Sequence, residues 1–174
     1  AEANRSAIEQ AVQDTAGQIV TYDKKPIIAV FSAAAGERTE TAADVWGSEI
    51  PYLQSVESPG GESCPKYHGT VTLTADEVRE RAAQTFPAAD LTGDPADWFK
   101  ASERSEAGGI ITVKFGGVRV QGTALRTMLG LHSTNFTVSV QDNRLTFTTV
   151  GYGHGVGLSQ WGARYLAEQG KSWR

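Results

Sequence analysis

The chain has 174 residues, of which 40% are hydrophobic and 21% are charged, with 19 glycines against six prolines. This composition is that of a folded globular domain and excludes a disordered or fibrous protein, while the net charge of −4, with 16 basic residues spread along the chain, excludes a nucleic-acid-binding surface. No apolar run approaches the roughly eighteen residues that cross a bilayer, so we expect a single domain over residues 1–174 without a transmembrane segment.

The first part of the chain predicts a helix, a hairpin and a long ordered loop. In chain order these are a helix over 4–15 with Asn4 as its N-cap, strands over 18–22 and 26–33, and a loop over 34–65. The second strand is apolar from Ile27 to Phe31, which is typical of a strand buried on both faces. Trp46 and the Tyr52-Leu53 pair are expected to anchor the loop.

The remainder of the chain predicts short strands mixed with short helices. They are a strand over 67–73, a helix after a capping box at Thr74–Glu77, strands over 99–104, 109–115 and 118–121, a helix over 123–129, a hairpin of strands 136–140 and 145–149, and a last helix over 158–169. Because no strand–helix–strand repeat is present, the sequence predicts an α+β fold with a mainly antiparallel sheet and a few short helices packed on it.

The densest candidate for chemistry is the glycine-rich stretch from Gly151 to Ala163. Its alternating glycines favour a backbone that approaches a partner closely or adopts positive φ, and it continues into a helix whose first N–H groups attract oxygen-rich ligands. Tyr152, His154 and Ser159 would then surround such a ligand. The alternative is a glycine-rich turn with a core tyrosine, a hydrogen-bonded histidine and a serine helix cap.

A second candidate is the polar segment over 32–47, which follows a strand. Its notable side chains are three carboxylates, a guanidinium and an indole: Glu37, Glu40, Asp44, Arg38 and Trp46. Strand ends often carry binding sites, and an indole offers a flat apolar face on which sugars stack. Alternatively, Glu37-Arg38 is a solvated turn and Trp46 is a loop anchor.

Three motifs together resemble the SpoIID/LytB family of bacterial cell-wall proteins. The first is a strand, a small-residue turn, a Trp-Gly pair and Pro-Tyr-Leu-x-Ser-Val-x-Ser-Pro, from Phe31 to Pro59. The second is Leu-Gly-Leu-x-Ser-Thr-x-Phe, over 129–136, and the third is Gly-His-Gly-Val-Gly-x-Ser-Gln-x-Gly-Ala, over 153–163. The resemblance runs from about residue 11 to residue 170, nearly the whole chain.

The resemblance implies binding or cleavage of peptidoglycan glycan strands. Sporulation members of the family are lytic transglycosylases, in which one carboxyl group acts first as acid and then as base, whereas other members enhance an amidase. The family's catalytic glutamate lies in an upstream segment that this sequence does not contain. The chain alone is therefore expected to lack the general acid and to be inactive, with Glu40 as the first carboxylate to test. The upstream segment is an expected partner, and a non-catalytic wall-binding module or amidase enhancer is the alternative.

The implied glycan groove lies between the turn at Gly36 and the loop over 153–159, with His154 lining it. The substrate-binding residues that we expect there are Arg38, Thr39, Trp46, Tyr152, His154, Ser159 and Gln160. The turn departs from the family pattern at Ser32, Ala35 and Glu37, which affects the contacts made there. No cofactor is expected.

Some members of the family bind zinc through cysteine and histidine. Here Cys64 and His68 offer two ligands, while His132 and His154 are distant in sequence. Since zinc needs three or four ligands, we expect no metal. We expect Cys64 to form a disulfide with an upstream cysteine, because secreted proteins rarely leave a lone thiol free.

A serine hydrolase that uses Ser159 and His154 is a rival interpretation. No Gly-x-Ser-x-Gly nucleophile elbow encloses Ser159, which argues against it. The expected location is the cell envelope or the exterior of a Gram-positive bacterium.

Overall fold

The computed structural model describes residues 2–173. Its helices are α1 (Glu2–Asp14), α2 (Ala42–Trp46), α3 (Ala75–Thr85), α4 (Gly122–Leu129) and α5 (Gln160–Glu168). Its strands are β1 (Thr21–Tyr22), β2 (Lys25–Pro26), β3 (Phe31–Ser32), β4 (His68–Thr74), β5 (Phe99–Arg104), β6 (Ile110–Phe115), β7 (Val118–Gln121), β8 (Phe136–Gln141), β9 (Arg144–Val150) and β10 (Leu158–Ser159). None of these helices is long and apolar enough to cross a membrane.

The fold is α+β, as the sequence predicts. Two antiparallel sheets of three strands, in the orders β4-β9-β8 and β5-β6-β7, make up most of the strand structure. Asp142 and Asn143, with φ of 48° and 60°, form the turn between β8 and β9, because a tight hairpin needs positive φ at both central residues. The expected capping box is present, with the Thr74 hydroxyl accepting from the Glu77 amide at 3.2 Å, and it starts α3.

The two sheets share one aromatic core. The ring of Phe99 on β5 lies 5.7 Å from that of Phe147 on β9, and the ring of Phe115 on β6 lies 4.8 Å from that of Phe99. Helices α3 and α4 add Val78 and Leu125, both fully buried. This core gives the candidate site a rigid support, because β9 leads directly into the glycine-rich stretch.

The strand expected over 26–33 is wrong in extent and burial. The structure has only the two-residue strands β2 and β3 there, and Ile28 and Phe31 are each 59% exposed. Pro26 pairs with β1 and Phe31–Ser32 pairs with β10, but each pairing is only two residues long, so no larger sheet covers the faces of this segment. Ile28 and Phe31 therefore remain at the surface, while Val30 packs against the buried cluster of Ala42, Leu53 and Val156.

Three smaller expectations also need correction. Helix α1 begins at Glu2, so Asn4 lies inside the helix and is not its N-cap. The loop over 34–65 contains α2, which is capped by Thr41 and ended by Gly47, and Leu53 anchors this loop while Trp46 is 45% exposed. The last helix begins at Gln160, because the two residues before it pair with β3.

Candidate functional site

The two segments singled out in the sequence lie side by side. Strands β3 and β10 pair in parallel, with Phe31 opposite Leu158 and Ser32 opposite Ser159. The Ala34 amide donates to the Tyr152 carbonyl at 3.0 Å, and the Tyr152 amide donates to the Ala34 carbonyl at 2.7 Å. The structure thus brings together the segment over 32–47 and the residues 151–157, which we call the glycine loop.

The glycines of the glycine loop permit close packing against the neighbouring segment. Gly153 and Gly155 have φ of +121° and +75°, and a Cβ at Gly155 would lie 2.9 Å from Cγ of Glu40. The loop amides also bind protein groups: the Gly153 amide donates to the His132 carbonyl at 3.0 Å, and the Val156 amide donates to Nδ1 of His154 at 3.1 Å. These amides therefore do not form the open ligand cradle considered from the sequence.

His154 is half-buried and its ring lies beside that of the exposed Trp46, with 5.5 Å between the ring centroids and an angle of 52° between the ring planes. Because Nδ1 accepts from the Val156 amide, the proton of the neutral imidazole is on Nε2. Burial lowers the pKa of His154, the backbone of Phe31 opposes this, and the charge of Arg126 adds to it. We call the ring pair of the exposed Trp46 and the neutral His154 the Trp46 platform.

Glu40 is buried between the glycine loop and β6. Its amide donates to the Gly155 carbonyl at 2.9 Å, and its Oε1 accepts from the Gly109 amide at 3.2 Å, while Oε2 has no hydrogen-bond partner among residues 2–173. Burial raises the pKa of this carboxyl; the Ser105 hydroxyl opposes the rise, the Asp44 carboxylate adds to it and the Gly109 amide opposes it. With 7% exposure, Glu40 does not present an acid to a glycan, and its catalytic role stays a prediction without support from this geometry.

The Glu40→Gln variant is expected to be more stable than wild type at pH 7.5 and equally stable near pH 4. A folded-state pKa raised above 4.5 means that the folded protein holds the Glu40 proton more tightly than the unfolded chain. The free energy of unfolding that Glu40 contributes to the wild-type protein is therefore present at low pH and is lost as pH rises through the pKa of the folded state. Glutamine does not ionise, so the variant does not suffer this loss. We expect a gain of about 2–4 °C in melting temperature at pH 7.5.

The control for this measurement is Glu106→Gln, which neutralises a carboxylate that is 68% exposed and paired with Arg38. Thermal unfolding of the three proteins between pH 4 and 8 should give a pH-dependent gain only for Glu40→Gln. A Glu40→Gln protein that is less stable than wild type throughout this range would contradict a carboxyl whose pKa is raised by burial.

Of four other predicted binding residues, three make contacts within the protein and the fourth is exposed. The Thr39 hydroxyl donates to the Gln54 carbonyl at 2.9 Å and is buried, and the Arg38 guanidinium donates to Ser55 and pairs with an exposed carboxylate. The Ser159 hydroxyl is buried and accepts from the amides of Gly162 and Ala35, at 3.2 and 3.3 Å, as the cap of α5. Gln160 is exposed on the first turn of α5. Their substrate contacts stay predictions.

The space between the Gly36 turn and the glycine loop is not the groove that we expected. Its volume is about 20 Å³, too small for a sugar. Two polar clefts of about 470 and 480 Å³ lie beside it and have four residues in common: Glu37, Arg38, Glu62 and Tyr67. Sequence reasoning missed Glu62 and Tyr67, because nothing in their local pattern separates them from ordinary loop and strand residues.

Cys64 packs in a small apolar cluster with Ala34 and Tyr67 and is 6% exposed. Its expected disulfide stays a prediction. Among residues 2–173 we find no group of three or more histidine, cysteine, aspartate or glutamate side chains placed to hold a metal ion. The expectation of no metal and no cofactor is not tested by this finding.

Comparison with known proteins gives no matching family model, but several proteins are similar along nearly the whole chain. Stage II sporulation protein D of Bacillus amyloliquefaciens is 38% identical, over 97% of this chain and 47% of that protein, and the protein of the same name from Bacillus subtilis is 36% identical, over 98% and 48%. A Bacillus subtilis protein named amidase enhancer is 25% identical, over 97% of this chain and 31% of its own length. The chain thus spans about half the length of the two sporulation relatives.

Proposed function

The chain belongs to the SpoIID-like family, and from this premise we propose that it binds peptidoglycan glycan strands as part of a lytic transglycosylase-like protein. In that reaction an acid protonates the glycosidic oxygen, the 6-hydroxyl of N-acetylmuramic acid attacks C1, and the hydroxyl proton passes to the conjugate base. The C1–O bond to the leaving sugar breaks, an anhydro ring forms and no water is consumed. This chain contributes the glycan-binding surface, and the acid is supplied from outside residues 1–174.

The Trp46 platform is the observation that carries this proposal. Trp46 and His154 come from the two motif segments that resemble the family, and their rings are in contact, with Trp46 exposed and His154 half-buried. The apolar face of an indole suits the C–H face of a pyranose. Glu40, the carboxylate beneath the glycine loop, is buried, which supports an acid from outside this chain.

Replacement of Trp46 by alanine is expected to weaken binding to purified peptidoglycan sacculi about tenfold or more, because aromatic anchors carry much of the binding energy at interfaces. Its melting temperature should stay within about 2 °C of wild type, since Trp46 is 45% exposed. Sedimentation with sacculi measures the binding, and thermal unfolding measures the fold.

The matched control is Tyr165→Ala, which removes an aromatic side chain of 36% exposure from α5, beside one of the polar clefts. We expect this variant to bind sacculi like wild type. If Tyr165→Ala loses binding and Trp46→Ala keeps it, the glycan binds in the cleft beside Tyr165 and not at the Trp46 platform.

A second candidate function is that of a non-catalytic wall-binding module that activates an amidase. The relative named amidase enhancer favours it, as do exposed apolar side chains that suit a protein partner, including Ile19, Val20 and Ile28.

Digestion of sacculi by the complete protein distinguishes the two candidates. Anhydro-muropeptides detected by mass spectrometry support the first, and faster release of stem peptides by an added amidase without anhydro products supports the second. Either function places the protein in the cell envelope or outside the cell.

A further inference from the structure

The two polar clefts beside the Gly36 turn share a wall on which Tyr67 lies. The backbone of Tyr67 is fixed on both sides: its amide donates to the Cys64 carbonyl at 2.9 Å, and its carbonyl accepts from the Gly151 amide at 2.8 Å. A Cβ at Gly61 would lie 2.7 Å from Cε2 of Tyr67, so this glycine lets the ring pack closely against the cleft wall. We call the joined clefts the Tyr67 cleft.

The hydroxyl of Tyr67 is not used within the protein. The residue is 4% exposed and packs with Ala34 and Cys64. Its hydroxyl makes no hydrogen bond among residues 2–173 and is not one of the fully buried oxygens, so it opens onto the cleft that Tyr67 lines. Burial raises the pKa of this phenol, and the charges of Glu62 and Glu37 raise it further. The hydroxyl therefore keeps its proton at neutral pH, and its oxygen accepts a hydrogen bond.

The Tyr67 cleft carries a negative charge. The permanently charged side chains that line it are one guanidinium and four carboxylates: Arg38, Glu37, Glu57, Glu62 and Glu106. Nε of Arg38 pairs with Glu106 at 3.2 Å, while no ion pair within 4.0 Å joins the other three carboxylates to a basic residue in the described part of the chain. A cationic group that enters the cleft therefore meets carboxylates without a partner.

The arrangement suits a molecular cation better than a metal ion. Within residues 2–173 no three histidine, cysteine, aspartate or glutamate side chains are placed to hold a metal. An ammonium group, by contrast, has three N–H donors that take separate acceptors, and the phenol oxygen of Tyr67 with the carboxylates of Glu37 and Glu62 supplies three. The two parts of the cleft, of about 470 and 480 Å³, have the volume of ordinary ligand sites.

We propose that the Tyr67 cleft binds a primary ammonium group of peptidoglycan through the Tyr67 hydroxyl and the carboxylates of Glu37 and Glu62. The proposal rests on the proposed function and adds a second binding surface to the Trp46 platform. Hydrogen bonds from an ammonium group to a carboxylate are stronger than neutral ones. Two groups of the wall have this chemistry: a glucosamine that has lost its acetyl group, and the side-chain amine of a diamino acid in the stem peptide.

The test measures binding to the complete protein by calorimetry, at slightly acid pH and low salt, with two pairs of probes. One pair is the glucosamine tetrasaccharide and its fully N-acetylated form. The other is an N-terminally acetylated stem tripeptide ending in lysine and the same peptide with that side chain acetylated. In at least one pair the free amine should bind about tenfold more tightly or better, and added salt should reduce this preference.

Two variants tie the preference to the cleft. Glu62→Gln and Tyr67→Phe should each reduce it by about threefold or more. Tyr67→Phe keeps the buried ring and removes only the hydroxyl, and thermal unfolding of both variants verifies the fold. Glu80→Gln is the matched control, because Glu80 is an exposed carboxylate on α3 that does not line the cleft, and it should behave like wild type.

Equal binding within both pairs by wild type overturns the ammonium site, and so does a preference that Glu62→Gln and Tyr67→Phe both retain in full. If wild type still binds sacculi in these cases, the proposed function stands, whereas loss of sacculus binding by wild type overturns both proposals. A preference in the sugar pair alone assigns the site to deacetylated glucosamine, and one in the peptide pair alone assigns it to the stem peptide. A preference in both pairs shows that the cleft selects the ammonium group itself.

Discussion

Replacement of Phe115 by alanine is expected to lower the free energy of unfolding by about 3–5 kcal/mol. Phe115 is fully buried, and its ring packs against Phe86 and Phe99 at centroid distances of 5.9 and 4.8 Å. Alanine removes the apolar area of the ring and leaves a cavity that β6, held between β5 and β7, cannot close. Urea unfolding monitored by circular dichroism measures the loss.

The control for Phe115 is Phe31→Ala, since Phe31 is 59% exposed and lies on β3. Its replacement should change the free energy of unfolding by no more than about 0.5 kcal/mol. Equal losses in the two variants would mean that the surface at Phe31 is covered in solution and that the two sheets do not form the main core.

Replacement of Gly155 by alanine is expected to lower the free energy of unfolding by about 2–5 kcal/mol. The residue has φ of +75°, which strains any L side chain, and its new Cβ would lie 2.9 Å from Cγ of the buried Glu40. Backbone strain contributes about 1–2 kcal/mol and overpacking about 1–3 kcal/mol. Because His154 precedes this glycine, we expect the variant to lose sacculus binding at temperatures where its core is still folded.

Gly170→Ala separates the two contributions at Gly155. Gly170 has nearly the same φ, +78°, but no atom lies within 4 Å of the position that a Cβ would take. The free energy of unfolding of this variant should therefore fall only by the cost of backbone strain, about 1–2 kcal/mol. If both variants lose the same amount, the glycine loop does not pack against Glu40 as described.

The regular elements were predictable because their signals are local. Strands β5 and β7 have the bounds that the sequence predicts, and the Asp142-Asn143 hairpin and the Thr74–Glu77 capping box are both present. Both the two-residue period of a strand and a capping box of four residues can be recognised without knowledge of distant contacts. The same reasoning was wrong for 26–33, where an apolar run lacks the neighbouring strands that would bury it.

The candidate site was predictable only in part. Its two segments were found because glycine and aromatic patterns marked them, and the ring pair of Trp46 and His154 joins them. The environment of Glu40 depends on Gly109, which lies just before β6 and far from Glu40 in sequence, and whose amide donates to Oε1 of Glu40. The sequence around Glu40 contains no local signal that a distant residue such as Gly109 will contact it.

The parallel pair of β3 and β10 is only two residues long, yet it joins residues 31–32 to residues 158–159. Nine of the other thirteen helices and strands given above lie between these points along the chain. Bringing residues 31–32 and 158–159 together closes a long loop, and the entropy lost in doing so must be offset by other contacts. We therefore expect the two three-stranded sheets to form before β3 pairs with β10. Because Trp46 and His154 lie on the two segments that this pairing brings together, we expect a partly synthesised chain to form its core before it forms the Trp46 platform.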